Sequence, residues 1–360
     1  MASGARGGGE EALVGLLPQL RRQGIDCVAA VGGEGPVGPR LRSIGIEVRE
    51  VDLMRSRFDP WAPLRLRRVV RKAAPDLVHN HGTRAAYFSS LAALAAGFPP
   101  TIYTVHGLSY RKDVAWFIRP ALRAAERIAC RGARGVVSVS ATNLDELVAR
   151  GFVARENVLQ VHNAVDSARF SPGDRTIARR RLGIPDNAFV VGSVSRLVPQ
   201  KAVGDLVDAV ASLPGVVLIV AGDGPDRRSV EERAQVLGGR AVFLGERNDV
   251  PDLLPAFDLF ALTSRWEGEP IALLEAMAVG IPAVATATNG SREILESSGA
   301  GVLVEIGSVA GIAEAIARLR GNPEVLRAMS QAGREAIRSR SYAAVADRLI
   351  RFYERFVTIR

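Results

Sequence analysis

Three residue types that carry much protein chemistry are scarce in this sequence of 360 residues, which has two cysteines, four histidines and three lysines. Cys27 and Cys130 are too few and too far apart to form a disulfide framework, and we expect both to be reduced core residues. Four histidines and two separated cysteines also argue against a zinc site. The sequence therefore predicts a protein without a structural metal.

Long apolar runs are missing as well. No segment reaches the ~18 consecutive apolar residues that a membrane-spanning helix needs. The opening residues lack the apolar core of a signal peptide. We therefore expect a cytoplasmic location.

Strand-like and helix-like patterns alternate along the whole chain, and this order is typical of parallel sheets with crossover helices. A chain of 360 residues is long for one core and sufficient for two. Proline, glycine and three consecutive arginines interrupt the pattern within residues 167–186, which we predict to be a hinge. The predicted fold class is α/β, with two Rossmann-like, doubly wound parallel-sheet domains at residues 1–166 and 187–341. Residues 342–360 are predicted to form a final amphipathic helix.

Two glutamates in the second half suit a ligand that carries pairs of hydroxyl groups. Glu267 lies in a predicted turn, and Glu275 lies in the second turn of a helix that Pro270 is well placed to open. Ionised carboxylates accept hydrogen bonds from hydroxyl groups, and the free amides at a helix N-terminus bind phosphate. The alternative is that both glutamates lie on solvated faces by chance.

Two cations and two glycines follow the predicted strands of the second half. Arg196 and Lys201 come after the strand 189–195, where a guanidinium and an ammonium can neutralise a diphosphate. Gly222 and Gly224 come after the strand 216–221, and they permit either a close backbone approach to a ligand or a simple tight turn.

These motifs, taken together and in this order, resemble the donor half of the retaining glycosyltransferases of family 4, the glycosyl transferases group 1. The resemblance implies the GT-B fold, in which two domains face a cleft and the last helix crosses back to the first domain. It implies that Arg196 and Lys201 bind the diphosphate of a sugar donor, that Glu267 contacts the sugar and that Glu275 holds the ribose. The motifs that carry it are Arg196 with Lys201, residues 222–225, residues 242–245, residues 258–260 and the span from Glu267 to Glu275.

The first half resembles the acceptor-side domain of the same family. His106 follows the strand 102–105, and the resemblance implies that it contacts the transferred sugar or its phosphate. His79 and His81 end an earlier strand and are interpreted as part of the cleft wall, whereas His162 is interpreted as scaffold. In this family a glycine loop brings its amides to the donor phosphates.

Gly8 and Gly9 match that glycine loop, and residues 11–22 match the helix after it. The family places a hydrophobic strand before the loop, and residues 1–6 contain no strand formers. We hypothesise that the sequence lacks an N-terminal strand of about 5–6 residues. The alternative is that the central position of the first sheet is filled in another way.

Two departures from the family pattern concern the donor motifs. Ala202 replaces the usual glycine after the lysine, which costs little unless that backbone needs a positive φ. Glu269 adds a third carboxylate to the loop, and a like charge beside Glu267 raises a pKa or displaces a side chain. Donor-sugar preference is therefore open. The donor-binding set implied by the resemblance also includes Gly268, Glu269, Pro270 and Ile271.

The resemblance predicts transfer of a hexose or N-acetylhexosamine from a nucleoside-diphosphate sugar to a hydroxyl acceptor, without metal or cofactor, in polysaccharide, lipopolysaccharide or glycolipid synthesis. One alternative is a degenerate, non-catalytic binding subunit, and another is a nucleotide-sugar epimerase of the same fold. A dinucleotide-binding oxidoreductase is disfavoured. Its glycine motif at residues 33–38 leaves too few residues before the strand at Ile46 for a crossover helix.

Positive charge is concentrated in the first half of the chain. Residues 1–166 carry 23 Lys and Arg against 15 Asp and Glu, whereas residues 167–360 carry 24 against 23. The excess lies in residues 55–72 and 111–134, among aromatic residues, which suits an anionic membrane surface. Solvated arginines from a biased composition are the alternative, and no nucleic-acid-binding motif is present. We hypothesise peripheral docking at the inner face of the membrane, towards a lipid-linked acceptor, through Arg65, Arg67, Arg68 and Arg71.

Overall fold

A computed structural model gives the fold of the chain and describes residues 8–32, 35, 37–53, 59–111 and 115–358. Two compact units divide the chain. The first comprises Met1–Ala164 with Tyr342–Arg360, and the second comprises Val165–Ser341. The chain therefore enters the second unit once and returns from it once.

Parallel strands and helices alternate through both units. The helices are α1 (Gly8–Arg22), α2 (Val37–Ser43), α3 (Ala62–Ala73), α4 (Thr83–Ala92), α5 (Arg119–Gly132), α6 (Ala141–Ala149), α7 (Arg175–Arg181), α8 (Val203–Ala211), α9 (Arg227–Arg233), α10 (Val250–Leu253), α11 (Ile271–Val279), α12 (Asn289–Ser298), α13 (Val309–Arg320), α14 (Pro323–Ile337) and α15 (Tyr342–Tyr353). The strands are β1 (Val28–Val31), β2 (Glu47–Glu50), β3 (Val78–His81), β4 (Thr101–Val105), β5 (Gly135–Ser138), β6 (Val158–Gln160), β7 (Phe189–Val194), β8 (Val216–Ala221), β9 (Ala241–Gly245), β10 (Leu259–Leu262), β11 (Ala283–Thr286) and β12 (Gly301–Val304).

The first unit contains two parallel sheets. Strands β1 and β2 form one pair, and the order β3-β4-β5-β6 forms a four-stranded sheet. The helix α2 connects β1 to β2, so the argument that residues 38–46 are too short for a crossover helix is wrong: a helix of 7 residues suffices. Residues 33, 34 and 36 of that glycine motif lie outside the described residues.

The last helix packs against the first helix within the first unit. Leu16 on α1 and Leu349 on α15 share a core cluster with Ile102 of the four-stranded sheet. The contact is close, since a Cβ atom at Gly15 would lie 2.2 Å from the ring of Tyr342. Glycine at this position therefore lets the two helices approach each other.

The second unit is a six-stranded parallel sheet in the order β12-β11-β10-β7-β8-β9. Strands β8 and β10 are apolar throughout, β11 is apolar up to Thr286, and all three are almost fully buried, as expected for a parallel sheet with helices on both faces. Helical crossovers run outward from the centre in both directions, which makes the sheet doubly wound.

The segment predicted as a hinge, residues 167–186, contains α7 and lies in the second unit. Arg179 attaches this segment to the rest of the second unit. Its side chain is fully buried. Its guanidinium donates to the carbonyl groups of Asp186 and Ala188 at 2.7 and 2.8 Å and to the carboxylate of Asp258 at 2.6 Å. Its Nε also donates to the carbonyl of Ala256 at 3.1 Å, so each guanidinium nitrogen has an acceptor and α7 is attached to the sheet.

The hypothesis of a missing first strand concerns residues 1–7, which lie outside the described residues, and it stays a prediction. Within the described residues, no helix is both long and apolar enough to cross a membrane.

Candidate functional site

The central strands of the six-stranded sheet, β7 and β10, are neighbours from which the chain winds in opposite directions. Open α/β sheets bind ligands at this kind of switch point, beyond the carboxyl ends of the strands. Two segments leave the sheet there. We call residues 195–202 the β7 loop and residues 263–270 the β10 loop.

Backbone and side-chain hydrogen bonds join the β7 loop to the β10 loop. The side-chain amide of Gln200 donates to the carbonyl of Trp266 at 2.9 Å, and the amide of Arg265 donates to the carbonyl of Gln200 at 2.8 Å. The hydroxyl of Thr263 donates to the carbonyl of Lys201 at 3.0 Å. The sequence reasoning missed Gln200 and Thr263, whose only signal is their position within the two motif segments.

Lys201 and Glu267 meet between these loops. The Lys201 ammonium lies 2.5 Å from Glu267 Oε1, and the Ser264 hydroxyl donates to the same oxygen at 2.6 Å. The side chains of Lys201 and Glu267 are only 17% and 9% exposed, so each charge needs the other. Two residues that the sequence assigns to the phosphate and to the sugar therefore form one ion pair.

Arg196 and Glu275 flank this pair in the second unit. Arg196 is exposed in the β7 loop and forms no ion pair with any residue that the structure describes. Glu275 is half-buried in the second turn of α11. As predicted, α11 begins directly after Pro270, and because Pro270 makes no side-chain cap hydrogen bond, the first amides of the helix have no acceptor within it.

Glu269 binds an arginine. Its carboxylate, 1% exposed, lies 2.5 Å from the guanidinium of Arg340, which is 12% exposed. The like charges of Glu267 and Glu269 are thus neutralised by separate cations. Glu269 is occupied within the protein, which weakens its predicted role as a donor ligand. Arg340 also accepts at its carbonyl from the amide of Val165, 3.1 Å away.

Three glycines of the site are explained by contacts between backbone segments. A Cβ atom at Gly222 would lie 1.8 Å from the carbonyl oxygen of Ser195, and one at Gly224 would lie 2.2 Å from that of Leu197. A Cβ atom at Gly290, in the first turn of α12, would lie 2.1 Å from the carbonyl oxygen of Gly268. The close approach of Gly222 and Gly224 is thus to the β7 loop of the protein itself, and their predicted approach to a ligand stays a prediction.

Ala202 has a left-handed backbone, with φ 47° and ψ 41°. It ends the turn Pro199–Lys201 and precedes α8. The condition under which the replacement of glycine is unfavourable is therefore met, because a Cβ atom is strained in this region.

Three of the four histidines, His79, His81 and His106, gather near the carboxyl ends of β3 and β4. His81 Nδ1 lies 3.0 Å from His106 Nε2, and the two rings are stacked with centroids 5.3 Å apart. Burial lowers the pKa of His106 to about 4. Burial, and then the neighbouring His79 and His106, lower the pKa of His81 well below its usual value. The pair is therefore neutral at pH 7, with one ring nitrogen donating to the other.

His79 is a structural residue. Its Nδ1 and Nε2 lie 2.6 Å from the Tyr353 and Thr104 hydroxyls, so both ring nitrogens are engaged within the first unit. Burial lowers its pKa to about 3. Neither ring nitrogen of His79 is therefore left for a ligand, and the interpretation of His79 as part of the cleft wall stays a prediction. Within the described residues, no group of three or more His, Cys, Asp or Glu side chains could hold a metal ion.

Gly8 and Gly9, predicted to lie in a loop, form the first turn of α1. A Cβ atom at Gly9 would lie 3.2 Å from the ring of His106. Gly9 therefore supports the imidazole by close packing, and the helix begins three residues earlier than the sequence predicts.

Comparisons with known proteins agree with this geometry. The family profile described as Glycosyltransferase Family 4 matches residues 6–169, and that described as Glycosyl transferases group 1 matches residues 174–336. HepE from Anabaena, solved with UDP-glucose, has a TM-score of 0.85 and 26% identity, over 99% of this chain and 98% of that one. WaaG, a glycosyltransferase involved in lipopolysaccharide biosynthesis, shares the fold with a TM-score of 0.77 at 18% identity, over 95% of each chain.

Two curated relatives extend this similarity. The D-inositol 3-phosphate glycosyltransferase of Saccharomonospora viridis is 31% identical over 77% of this chain and 69% of its own length. The UDP-Gal:alpha-D-GlcNAc-diphosphoundecaprenol alpha-1,3-galactosyltransferase of Escherichia coli is 28% identical over 76% of this chain and 73% of its own length. The chain thus belongs to glycosyltransferase family 4, has the GT-B fold and is a glycosyltransferase.

Proposed function

We propose that this enzyme transfers a hexose or N-acetylhexosamine from a nucleoside-diphosphate sugar to a hydroxyl acceptor, with retention of the anomeric configuration, in the synthesis of envelope polysaccharide or glycolipid. The observation that carries the proposal is the Lys201–Glu267 pair at the switch point of the second sheet. HepE, which binds UDP-glucose, and the galactosyltransferase relative support a nucleoside-diphosphate donor.

The β7 loop would hold the diphosphate. Arg196 is exposed, and its guanidinium can offer two N–H groups to one anion, while Lys201 follows five residues later with 17% of its side chain exposed. Both cations stabilise the negative charge that develops on the departing diphosphate, which is the largest catalytic contribution these residues can make. The backbone amides of Ile271 and the residues after it, at the N-terminus of α11, would donate hydrogen bonds to the same anion.

Glu267 and Glu275 would recognise hydroxyl groups. A sugar diphosphate gives Lys201 a second anion, which leaves Glu267 able to accept from the sugar hydroxyls without exposing an unpaired charge. Glu275 would accept from the ribose. No side chain is proposed as a covalent nucleophile, and a phosphate oxygen is proposed to accept the acceptor proton. Proton NMR of the product tests retention, because the signal of the anomeric proton reports the configuration at the anomeric carbon. An inverted configuration would contradict the proposal.

His106 would contact the transferred sugar or its phosphate as a neutral imidazole. Its Nε2 faces His81, so Nδ1 is the atom left for the substrate. Because burial keeps its pKa near 4, the ring acts at pH 7 as a hydrogen-bonding group without positive charge.

We also propose that the first unit docks on anionic membrane at the inner face, through α5. Arg119, Arg123, Arg127 and Arg131 are all exposed, and their spacing of four residues aligns them along one face. Trp116 and Phe117, 79% and 66% exposed, precede this row. Four like charges on one helix face repel one another, and anionic lipid headgroups relieve that repulsion while the aromatic rings enter the interface.

The arginines first expected to mediate docking are less suitable. Arg65 donates to the carbonyl of Asp52, and Arg67 donates to the carbonyls of Ala95 and Ala96, so both are used to hold loops. Arg68 and Arg71 are exposed. Residues 54–58 and 112–114 of the two basic segments lie outside the described residues.

Binding to phosphatidylglycerol vesicles should fall when Arg119, Arg127 and Arg131 are changed to Gln, and separately when Trp116 and Phe117 are changed to Ala. Exchange of Arg318 and Arg320 on α13 for Gln is the control for a loss of positive charge elsewhere. Equal binding by all variants contradicts docking through α5, and no binding by the unchanged protein contradicts the membrane proposal altogether.

Calorimetry with UDP, GDP and ADP and their sugars tests the donor site. Arg196→Ala and Glu275→Ala should each weaken binding of the preferred nucleotide, whereas Arg228→Ala should not, since Arg228 is an exposed arginine on α9 paired with Glu232. Loss of binding in the control as well would point to a general charge effect. Epimerisation of the donor sugar without transfer would favour the epimerase alternative, and binding without any turnover would favour the non-catalytic one.

A further inference from the structure

One fully buried carboxylate in the first unit is hydrogen-bonded to residues that follow the two histidines in the chain. Glu126 is on the inner face of α5 and has no solvent-exposed surface. Burial raises its pKa, while hydrogen bonds from three hydroxyl groups and an amide act in the opposite direction. A carboxyl group in such a position is unfavourable unless each of its oxygens is satisfied, so its contacts require an explanation.

The contacts of Glu126 reach two loops. The Thr83 hydroxyl donates to Oε2 at 3.0 Å, and the Ser109 hydroxyl donates to the same oxygen at 2.7 Å, with the Ser109 amide 3.4 Å away. The Tyr103 hydroxyl donates to Oε1 at 2.5 Å. Thr83 begins α4, Ser109 begins the turn Ser109–Arg111, and Tyr103 lies in β4 between them.

The two segments come directly after His81, the last residue of β3, and after His106, the first residue beyond β4. Thr83 follows His81 by two residues across Gly82, and Ser109 follows His106 by three. One carboxylate therefore links the segment after β3 to the segment after β4, in addition to the backbone pairing of the two strands. The two ring nitrogens that lie 3.0 Å apart belong to the residues just before these segments.

We propose that Glu126 is a positioning residue, which holds the loops after β3 and β4 so that His81 fixes the ring orientation and tautomer of His106. This inference rests on the proposed role of His106 in the transfer reaction. Glu126 acts through Thr83 and Ser109 and touches no substrate. A shift of about 1 Å in a substrate-contacting group lowers a rate by up to about 100-fold, so loosening this attachment has a measurable consequence.

NMR of protein labelled only at histidine tests the proposal without relying on activity, because four rings give a spectrum that single substitutions can assign. In the unchanged protein, His81 and His106 should each show one fixed neutral tautomer. Glu126→Gln should make both rings average between tautomers. Ser109→Ala and Thr83→Val each remove one hydrogen bond from the carboxylate and should give the same change more weakly, if Glu126→Gln does not fold.

Asp59→Asn is the matched control, since Asp59 is a buried carboxylate of the same unit that accepts from the Trp61 amide and Arg65. It should lower thermal stability and leave the histidine signals unchanged. Glu126→Gln should also lower kcat by about 10-fold or more with the donor KM unchanged. Fixed tautomers in both Glu126→Gln and Ser109→Ala would overturn the proposal. Failure of donor binding or transfer in the unchanged protein would instead overturn the proposed function, whatever the histidine spectra show.

Discussion

The four-stranded sheet of the first unit and the six-stranded sheet of the second unit gather polar groups at the carboxyl ends of their strands by different physical means. In the first unit, His81 and His106 share one hydrogen bond, and burial keeps both rings neutral. In the second unit, Lys201 and Glu267 are a half-buried pair of opposite charges. Burying a neutral, hydrogen-bonded group costs little electrostatic free energy, whereas a charged group is buried favourably only beside an opposite charge. Of the two sheet edges, the one in the second unit, which carries Lys201, is therefore suited to an anionic ligand.

The largest effect should come from removing one member of the Lys201–Glu267 ion pair. Lys201→Met leaves the carboxylate of Glu267 buried without its cation, and we expect a loss of about 2–4 kcal/mol of unfolding free energy. Removal of a cation that stabilises the leaving group should also lower kcat by about 100- to 1,000-fold. Denaturant unfolding and steady-state kinetics measure these two effects.

The double variant Lys201→Met with Glu267→Gln is the control for this first prediction. It removes both charges, so it should recover stability relative to either single variant while activity stays low. If the stability losses of the two single variants simply add in the double variant, then the two side chains do not stabilise each other.

Much of this second sheet edge was predictable from local sequence. Strand β8 runs over the residues predicted for it, Val216–Ala221, and α11 begins after Pro270 because proline suits a helix start. Buried Arg179 and the contact of Glu269 with Arg340 were not predictable. Each joins residues distant in the chain, and a charged residue gives no sequence signal that distinguishes a buried site from a solvated one.

Glu126 illustrates the same limit in the first unit. Its helix face could be inferred from the apolar period, yet its hydroxyl partners come from three other elements. The local pattern could therefore place the histidines at strand ends but could not show what holds them together.

The second prediction concerns the ion pair of Arg340 and Glu269, which is also buried in the second unit. Arg340→Met removes the cation beside Glu269, and we expect a loss of about 2–4 kcal/mol of unfolding free energy. Because Glu269 is already occupied by Arg340, Glu269→Gln should weaken nucleotide binding far less than Arg196→Ala does. Arg292→Ala, which breaks an exposed pair with Glu296 on α12, is the control and should change stability by about 0.5 kcal/mol or less. A nucleotide affinity that falls as much in Glu269→Gln as in Arg196→Ala would restore Glu269 as a donor ligand.

The third prediction uses pH to affect the first sheet edge. Unfolded histidine takes up a proton near pH 6.5, whereas folded His106 does so only near pH 4. The unfolded state therefore binds more protons in this interval, and the free energy of unfolding should decrease as pH falls from about 6.5 to about 4. We expect each such histidine to contribute about 1–3 kcal/mol, measured by urea unfolding at several pH values. His106→Asn should reduce the slope, and an unchanged slope would contradict a neutral buried ring.

The smallest effect concerns the backbone beside Lys201. Ala202 and Ala74 are the only non-glycine residues with positive φ within the described residues, and their angles are nearly the same, with φ 47° and 46°. Glycine removes the Cβ strain of this region, which costs about 1–2 kcal/mol, but it also makes the unfolded chain more flexible. We therefore expect Ala202→Gly to raise the free energy of unfolding by about 0.5 kcal/mol, and Ala74→Gly at the end of α3 to do the same. Chemical denaturation measures both changes, and nucleotide calorimetry separates them. If Ala202→Gly alone alters donor affinity, then strain at this position sets the angle at which Lys201 meets Glu267. If neither variant does, the hydrogen bond from Thr263 to the Lys201 carbonyl holds the β7 loop without help from that strain.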